Sequence, residues 1–127
     1  MKIVLILIAA FAGLQVAVRF WPLPDTPRRV GIMAIGASEL IAFGGYYAWS
    51  DGVSFSQLKD RISATPRVKI IKDDQNMVAV YRSWFWGFPD VIEVWKDMGA
   101  VHISGHSVIG SWDMGSNKKR IQTWLDI

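Results

Sequence analysis

The sequence contains no cysteine. That excludes disulfides, thiolate zinc sites and cysteine nucleophiles together, and it leaves the redox compartment open. A dense lysine and arginine stripe is also missing. Its 14 basic and 11 acidic residues leave a net charge of +3, a mild surplus that suits anionic lipid headgroups and not a nucleic acid. There is no P-loop, and no G-x-G-x-x-G follows a strand pattern, which removes two common phosphate cradles. The serines have no evident base, and no paired carboxylates fall on one face of a cleft. The expectation is a protein that is not an enzyme and holds no cofactor.

What is abundant is apolar and aromatic. The chain of 127 residues fits one domain with a modest core. Its hydrophobic fraction of 51% exceeds the usual share of about 45–50%, and the excess sits in the first fifty residues. Seven tryptophans favour an interface, because each ring is large and amphipathic.

From Ile3 to Val18 only Gln15 is polar. Roughly 20 such residues at 1.5 Å rise cross a bilayer core, so residues 1–20 are expected to form a transmembrane anchor. Arg19 is placed to snorkel, and Phe20 and Trp21 begin an aromatic belt. The competing reading is a signal peptide cleaved at Ala10-Phe11-Ala12, against which the apolar run continues beyond that site. Residues 21–52 read as a connector, extended at first because Pro22, Pro24 and Pro27 forbid helix there. Within it, Val30–Trp49 has the length and terminal aromatics of a second spanning helix. Glu39 near its centre and glycines at 31, 36, 44 and 45 weaken that reading. The alternative is extended chain packed on the soluble domain, turning at Gly44-Gly45.

Residues 53–127 read as an α+β domain. Ser54 with Gln57 forms a capping box that opens a helix to about Ser63, burying Phe55, Leu58 and Ile62, and Thr65-Pro66 stops it. Four strands follow, over Val68 to Lys72, Met77 to Ser83, Val91 to Lys96 and Ala100 to Val108, with Asp73 to Asn76 and Asp97-Met98-Gly99 as turns. The second strand is apolar on both faces, as a central strand would be. A last helix presents Ile121, Trp124 and Leu125 as one stripe. The expected fold is an N-terminal transmembrane helix followed by a small antiparallel sheet of about four strands, with helices packed on one face.

Ala64-Thr65-Pro66-Arg67, Gly87-Phe88-Pro89-Asp90 and the closing run Ser107, Gly110, Asp113, Gly115, Asn117, Arg120 and Ile121 resemble motifs of domain-of-unknown-function family 1499 (DUF1499). Val18 to Pro22 is similar to that family's anchor and Pro-rich linker. Val108 stands where relatives often carry an arginine. The resemblance implies a bacterial inner-membrane protein with its domain on the periplasmic side, and a polar linker in place of a second span. It brings no established activity.

Three sets of residues merit attention as candidate sites. Gly110, Asp113 and Gly115 form a turn motif in which glycine supplies positive φ and Asp113 or Ser116 caps the last helix. Asn117, Lys118, Lys119 and Arg120 lie in the first turn of that helix, where the macrodipole disfavours cations. Three cations beside free N–H groups make a candidate anion or lipid-headgroup site. Trp84, Phe85, Trp86 and Phe88 form a candidate membrane or partner contact, or else core. His102 and His106 fall on one side of a strand about 13 Å apart, too far for one zinc, so no metal is expected. The leading expectation is an accessory or assembly subunit of a membrane complex, its partners being lipid and another membrane protein. The alternative is a module that binds lipid or a small apolar ligand at the membrane surface.

Overall fold

The computed structural model describes residues 1–23, 39–42, 45–109 and 114–127, with 39–42 described in backbone only. It begins with helix α1, Lys2–Arg19, whose apolar side chains are largely exposed. Strands β1 (Glu39–Ala42) and β2 (Gly45–Ser50) follow, then helix α2 (Phe55–Ser63). Strands β3 (Val68–Asp73), β4 (Met77–Arg82), β5 (Pro89–Asp97) and β6 (Ala100–Ser107) come next, and helix α3 (Ser116–Leu125) ends the chain. The architecture is α+β, as expected.

The strands form one antiparallel sheet in the order β1-β2-β6-β5-β4-β3. Among the described residues it has six strands where the sequence suggests about four. The two extra strands come from Val30–Trp49, the segment that competes as a second spanning helix. Its described part is a hairpin, with Glu39 opposite Ala48 and Ala42 opposite Gly45. Over residues 39–42 and 45–49 a helix is corrected to paired strands of the domain, while residues 30–38, 43 and 44 lie outside the described residues. The glycines disfavour helix, and Tyr46 and Tyr47 gain more from a pleated, buried surface. The domain therefore begins before residue 53, with the sheet starting at Glu39 among the described residues.

Local chemistry explains the remaining elements. Ser54 and Gln57 close a reciprocal capping box on α2, an arrangement worth about 1 kcal/mol. The β5–β6 hairpin turns on Met98 (φ 49) and Gly99 (φ 77), the two-residue geometry that matches strand twist. A register shift between Ile70 and Lys72 marks a bulge in β3, on the sheet edge.

Helices α2 and α3 cover one face. Leu58 and Ile62 from α2, and Ile121, Trp124 and Leu125 from α3, pack on Tyr46, Met77, Ala79, Ile92, Val94 and Ile103. Tyr47, Val78, Val80, Val91, Glu93, Trp95, Ser104 and His106 lie on the other face and are buried too. Leu23, just beyond α1, packs there against Val78, Val80 and Val91.

Candidate functional site

The three motifs that carry the family resemblance meet around one tyrosine. Tyr81 lies opposite Asp90 in the β4–β5 ladder. Arg120 reaches back from α3 to form an ion pair with Asp90, and its guanidinium carbon sits 3.8 Å from the Tyr81 ring centroid. Arg67 donates to the Tyr81 hydroxyl at 3.3 Å. Asn117 is fully buried and accepts from Arg120 at 3.2 Å. Beneath it lies Gly105, where an added Cβ would stand 2.7 Å from the Asn117 side-chain oxygen. Gly105 thus lets α3 approach the sheet. The cluster clamps the last helix to β4, β5 and β6.

This arrangement changes the reading of the first turn of α3. Gly115, in the left-handed region at φ 75, is the N-cap, with no side-chain cap bond. Ser116 is the first helical residue instead of the cap. Asp113 and Gly110 lie outside the described residues. Asn117 is turned inward. Arg120 is spent on Asp90 and Tyr81, so the group of three outward cations is reduced to Lys118 and Lys119. Lys118 itself sits 6.0 Å from the Tyr46 ring centroid.

The aromatic run has a definite partner. Ser83 to Phe88 folds into a turn tied by Ser83 N–H to Phe88 O (3.1 Å), Gly87 N–H to Ser83 O (3.0 Å) and Phe88 N–H to Ser83 Oγ (3.0 Å). Arg82 donates to the Gly87 carbonyl at 3.2 Å. This turn lies along α1. The Phe11 ring is 5.6 Å from Phe85 and 5.8 Å from Trp86, centroid to centroid. Phe85 and Trp86 meet edge to face at 4.9 Å, and Trp86 stacks on Phe88 at 6.1 Å. Trp84 is tilted against Phe85 at 6.0 Å and is 76% exposed. At the other end of α1, the Arg19 side chain lies against Gly87, whose φ of 71 and missing Cβ leave it room.

Between α1 and the sheet edge opens a cavity of about 600 Å³. Arg19, Arg67, Lys69 and Arg82 line it, with Leu23 and Trp84 as apolar walls. Lys69 pairs with Val80 in the β3–β4 ladder, and Arg82 follows two residues later on the same face. Among the described residues no carboxylate forms an ion pair with any of the four cations. The sequence reading missed this cluster. Its members come from three separate places along the chain, Arg19, the Arg67–Lys69 segment and Arg82, and nothing local links those three.

The second face carries another polar set. The Tyr47 hydroxyl is 2.6 Å from His102 Nδ1, and His102 Nε2 is 3.3 Å from the Asp97 carbonyl. The consistent assignment has Tyr47 donating to Nδ1 and Nε2–H donating to Asp97. Trp95 stacks on His102 at 5.5 Å and Tyr47 at 6.1 Å. Burial, then the nearby Asp97 charge, pushes the Tyr47 hydroxyl above its ordinary pKa. His102 and His106 share this face of β6, as expected. No cluster of three or more metal-ligating side chains occurs among the described residues.

An apolar N-terminal helix followed by a six-stranded antiparallel sheet with two helices on one face defines the class. The chain belongs to the family described as "Protein of unknown function (DUF1499)", whose profile matches residues 23–127. The apolar helix lies outside the matched segment. Neither curated proteins nor solved structures gave a match.

Proposed function

We propose that this protein is a non-catalytic lipid-binding module, anchored by α1 and seated in one leaflet through its aromatic turn. The packing of Phe85 and Trp86 on Phe11 carries the reading. Helix α1 is 18 residues long with mean hydropathy 2.0, enough by length and composition to cross a membrane. Phe11 lies eight residues before Arg19, about 12 Å along the helix at 1.5 Å per residue. With Arg19 at headgroup level, Gly87 against its side chain sits there too, and the Phe85 and Trp86 rings reach down to Phe11 in the hydrocarbon. Exposed rings at Trp84, Phe85 and Trp86 suit that medium and not water.

The test reconstitutes the full chain in vesicles whose phosphatidylcholine carries bromine on the acyl chains. Trp84 and Trp86 should be quenched, so a Trp84→Phe/Trp86→Phe variant should lose a clear share of the quenching seen in the wild type. Equal quenching in both proteins overturns the reading. The accessory-subunit reading draws on the same turn as a protein contact. A stoichiometric partner recovered in mild detergent, with the two tryptophans shielded from bromolipid, would favour it.

A further inference from the structure

We propose that the cavity lined by Arg19, Arg67, Lys69 and Arg82 is a binding site for the phosphate of an anionic lipid headgroup. The inference rests on the membrane seating proposed above and adds the chemical class of lipid.

Three observations converge on it. The first is charge: four cations line one cavity of about 600 Å³, and no described carboxylate is paired with any of them. Cations gathered without anions repel one another, and an anion entering between them removes that cost. The second is height. Arg19 ends α1, and the aromatic turn packs further back along the same helix at Phe11. Arg19 also lies against Gly87 of that turn, and Arg82 donates to the Gly87 carbonyl, so both cations sit beside the turn near the end of the apolar helix, within reach of lipid phosphates at that surface. The third is the mixture of walls. Leu23 and Trp84 line the cavity beside the cations, giving the glycerol and upper acyl region an apolar surface below a charged one.

The cations are also held in place. Arg82 donates to the Gly87 carbonyl at 3.2 Å, Arg67 to the Tyr81 hydroxyl at 3.3 Å and Arg19 to Gln15 Oε1 at 3.2 Å. Each guanidinium keeps further N–H donors for a ligand, and their orientation is already set, which lowers the ordering cost of binding. Arginine is suited to phosphate because its planar fork matches two oxygens at once. By contrast, Lys118 and Lys119 lie on α3, on the opposite side of the sheet from Lys69 and Arg82.

The test uses the full chain in phosphatidylcholine bilayers with small amounts of spin-labelled phosphatidylglycerol or spin-labelled phosphatidylcholine. The measured quantity is the ratio of their association constants with the protein. The wild type should prefer phosphatidylglycerol. Lys69→Gln should lower the preference by up to about fivefold, the scale of one cation beside an anionic surface. Lys69→Gln with Arg82→Gln should bring the ratio near one. Lys119→Gln, on α3, should leave it unchanged. A wild-type ratio of one, or a ratio that responds to Lys119 and not to Lys69, overturns the site. Binding of inorganic phosphate to the detergent-solubilised protein at millimolar concentration, lost in the Lys69/Arg82 variant and abolishing the lipid preference, would reassign it to a soluble anion and overturn the lipid claim. Bromolipid quenching of Trp84 and Trp86 in the same samples separates the two failures. Quenching without headgroup preference defeats this site alone, whereas no quenching defeats the membrane seating as well.

Discussion

Replacing Asp90 by alanine should remove a large part of the stability of this domain. Asp90 and Arg120 are both mostly buried, with side chains 11% and 14% exposed. Removing one member of such a pair costs about 3–5 kcal/mol, because the remaining charge stays out of water without a counter-ion. Here the exposed edge of Arg120 and the cavity beside it, lined by Thr65, Lys119 and Thr123 among others, give the guanidinium some access to solvent. The expected loss is therefore near the lower limit, about 3 kcal/mol. Arg120 would keep the Asn117 oxygen at 3.2 Å and the Tyr81 ring at 3.8 Å, while its Nε is already buried with no described hydrogen-bond partner. A domain of this size shifts by roughly 4–8 °C per kcal/mol, so Tm should fall by about 12–24 °C. Thermal unfolding followed by circular dichroism on the full chain in detergent gives this number. Asp90→Ala with Arg120→Leu should be less damaging than the sum of the single changes, since the orphaned charge is gone. A single-variant shift under about 3 °C, or additive singles, would refute the clamp and leave the pair a surface ornament.

Two further outcomes follow from the packing and the titration. Gly105→Ala should destabilise by about 1–3 kcal/mol, because its Cβ would meet the Asn117 oxygen at 2.7 Å and Ile121 Cδ1 at 3.3 Å. A companion Asn117→Ala change should relieve part of that loss, and a Tm unchanged by Gly105→Ala alone would refute the close approach. The raised pKa of Tyr47 means the folded state holds its proton at pH values where the unfolded chain has begun to lose it. Stability should be insensitive to this group below the ordinary value of 10.0 and should fall as pH rises from there toward the folded pKa. Tyr47→Phe should flatten that alkaline slope in denaturant titrations, and an unchanged slope would refute the assignment.

Much of the fold is written in short-range pattern. The apolar run fixes α1, because the residues from Ile3 to Val18, all without a charge, form a helix that no small core can bury. The capping box fixes the start of α2, and period-two alternation fixes β4 as a strand covered on both faces. Met98-Gly99 fixes the β5–β6 hairpin through backbone conformations that glycine adopts at little cost. Such features involve neighbours a few residues apart, and chain sequence states them directly. The β1–β2 hairpin is different. Apolar residues with four glycines fit either a second span or a pair of strands, and pairing with β6, from Gly45 opposite His106 to Ser50 opposite Val101, decides for strands. The same holds for the cations. The run Lys118, Lys119, Arg120 is adjacent in sequence, yet α3 turns Arg120 inward to Asp90, thirty residues away. Arg19, Arg67, Lys69 and Arg82 are scattered in sequence, and only the seating of α1 against the sheet edge gathers them in one cavity. Charge density along a chain and charge density in space agree only when the backbone is local. In this protein the long-range contacts of the sheet decide which cations gather in one cavity.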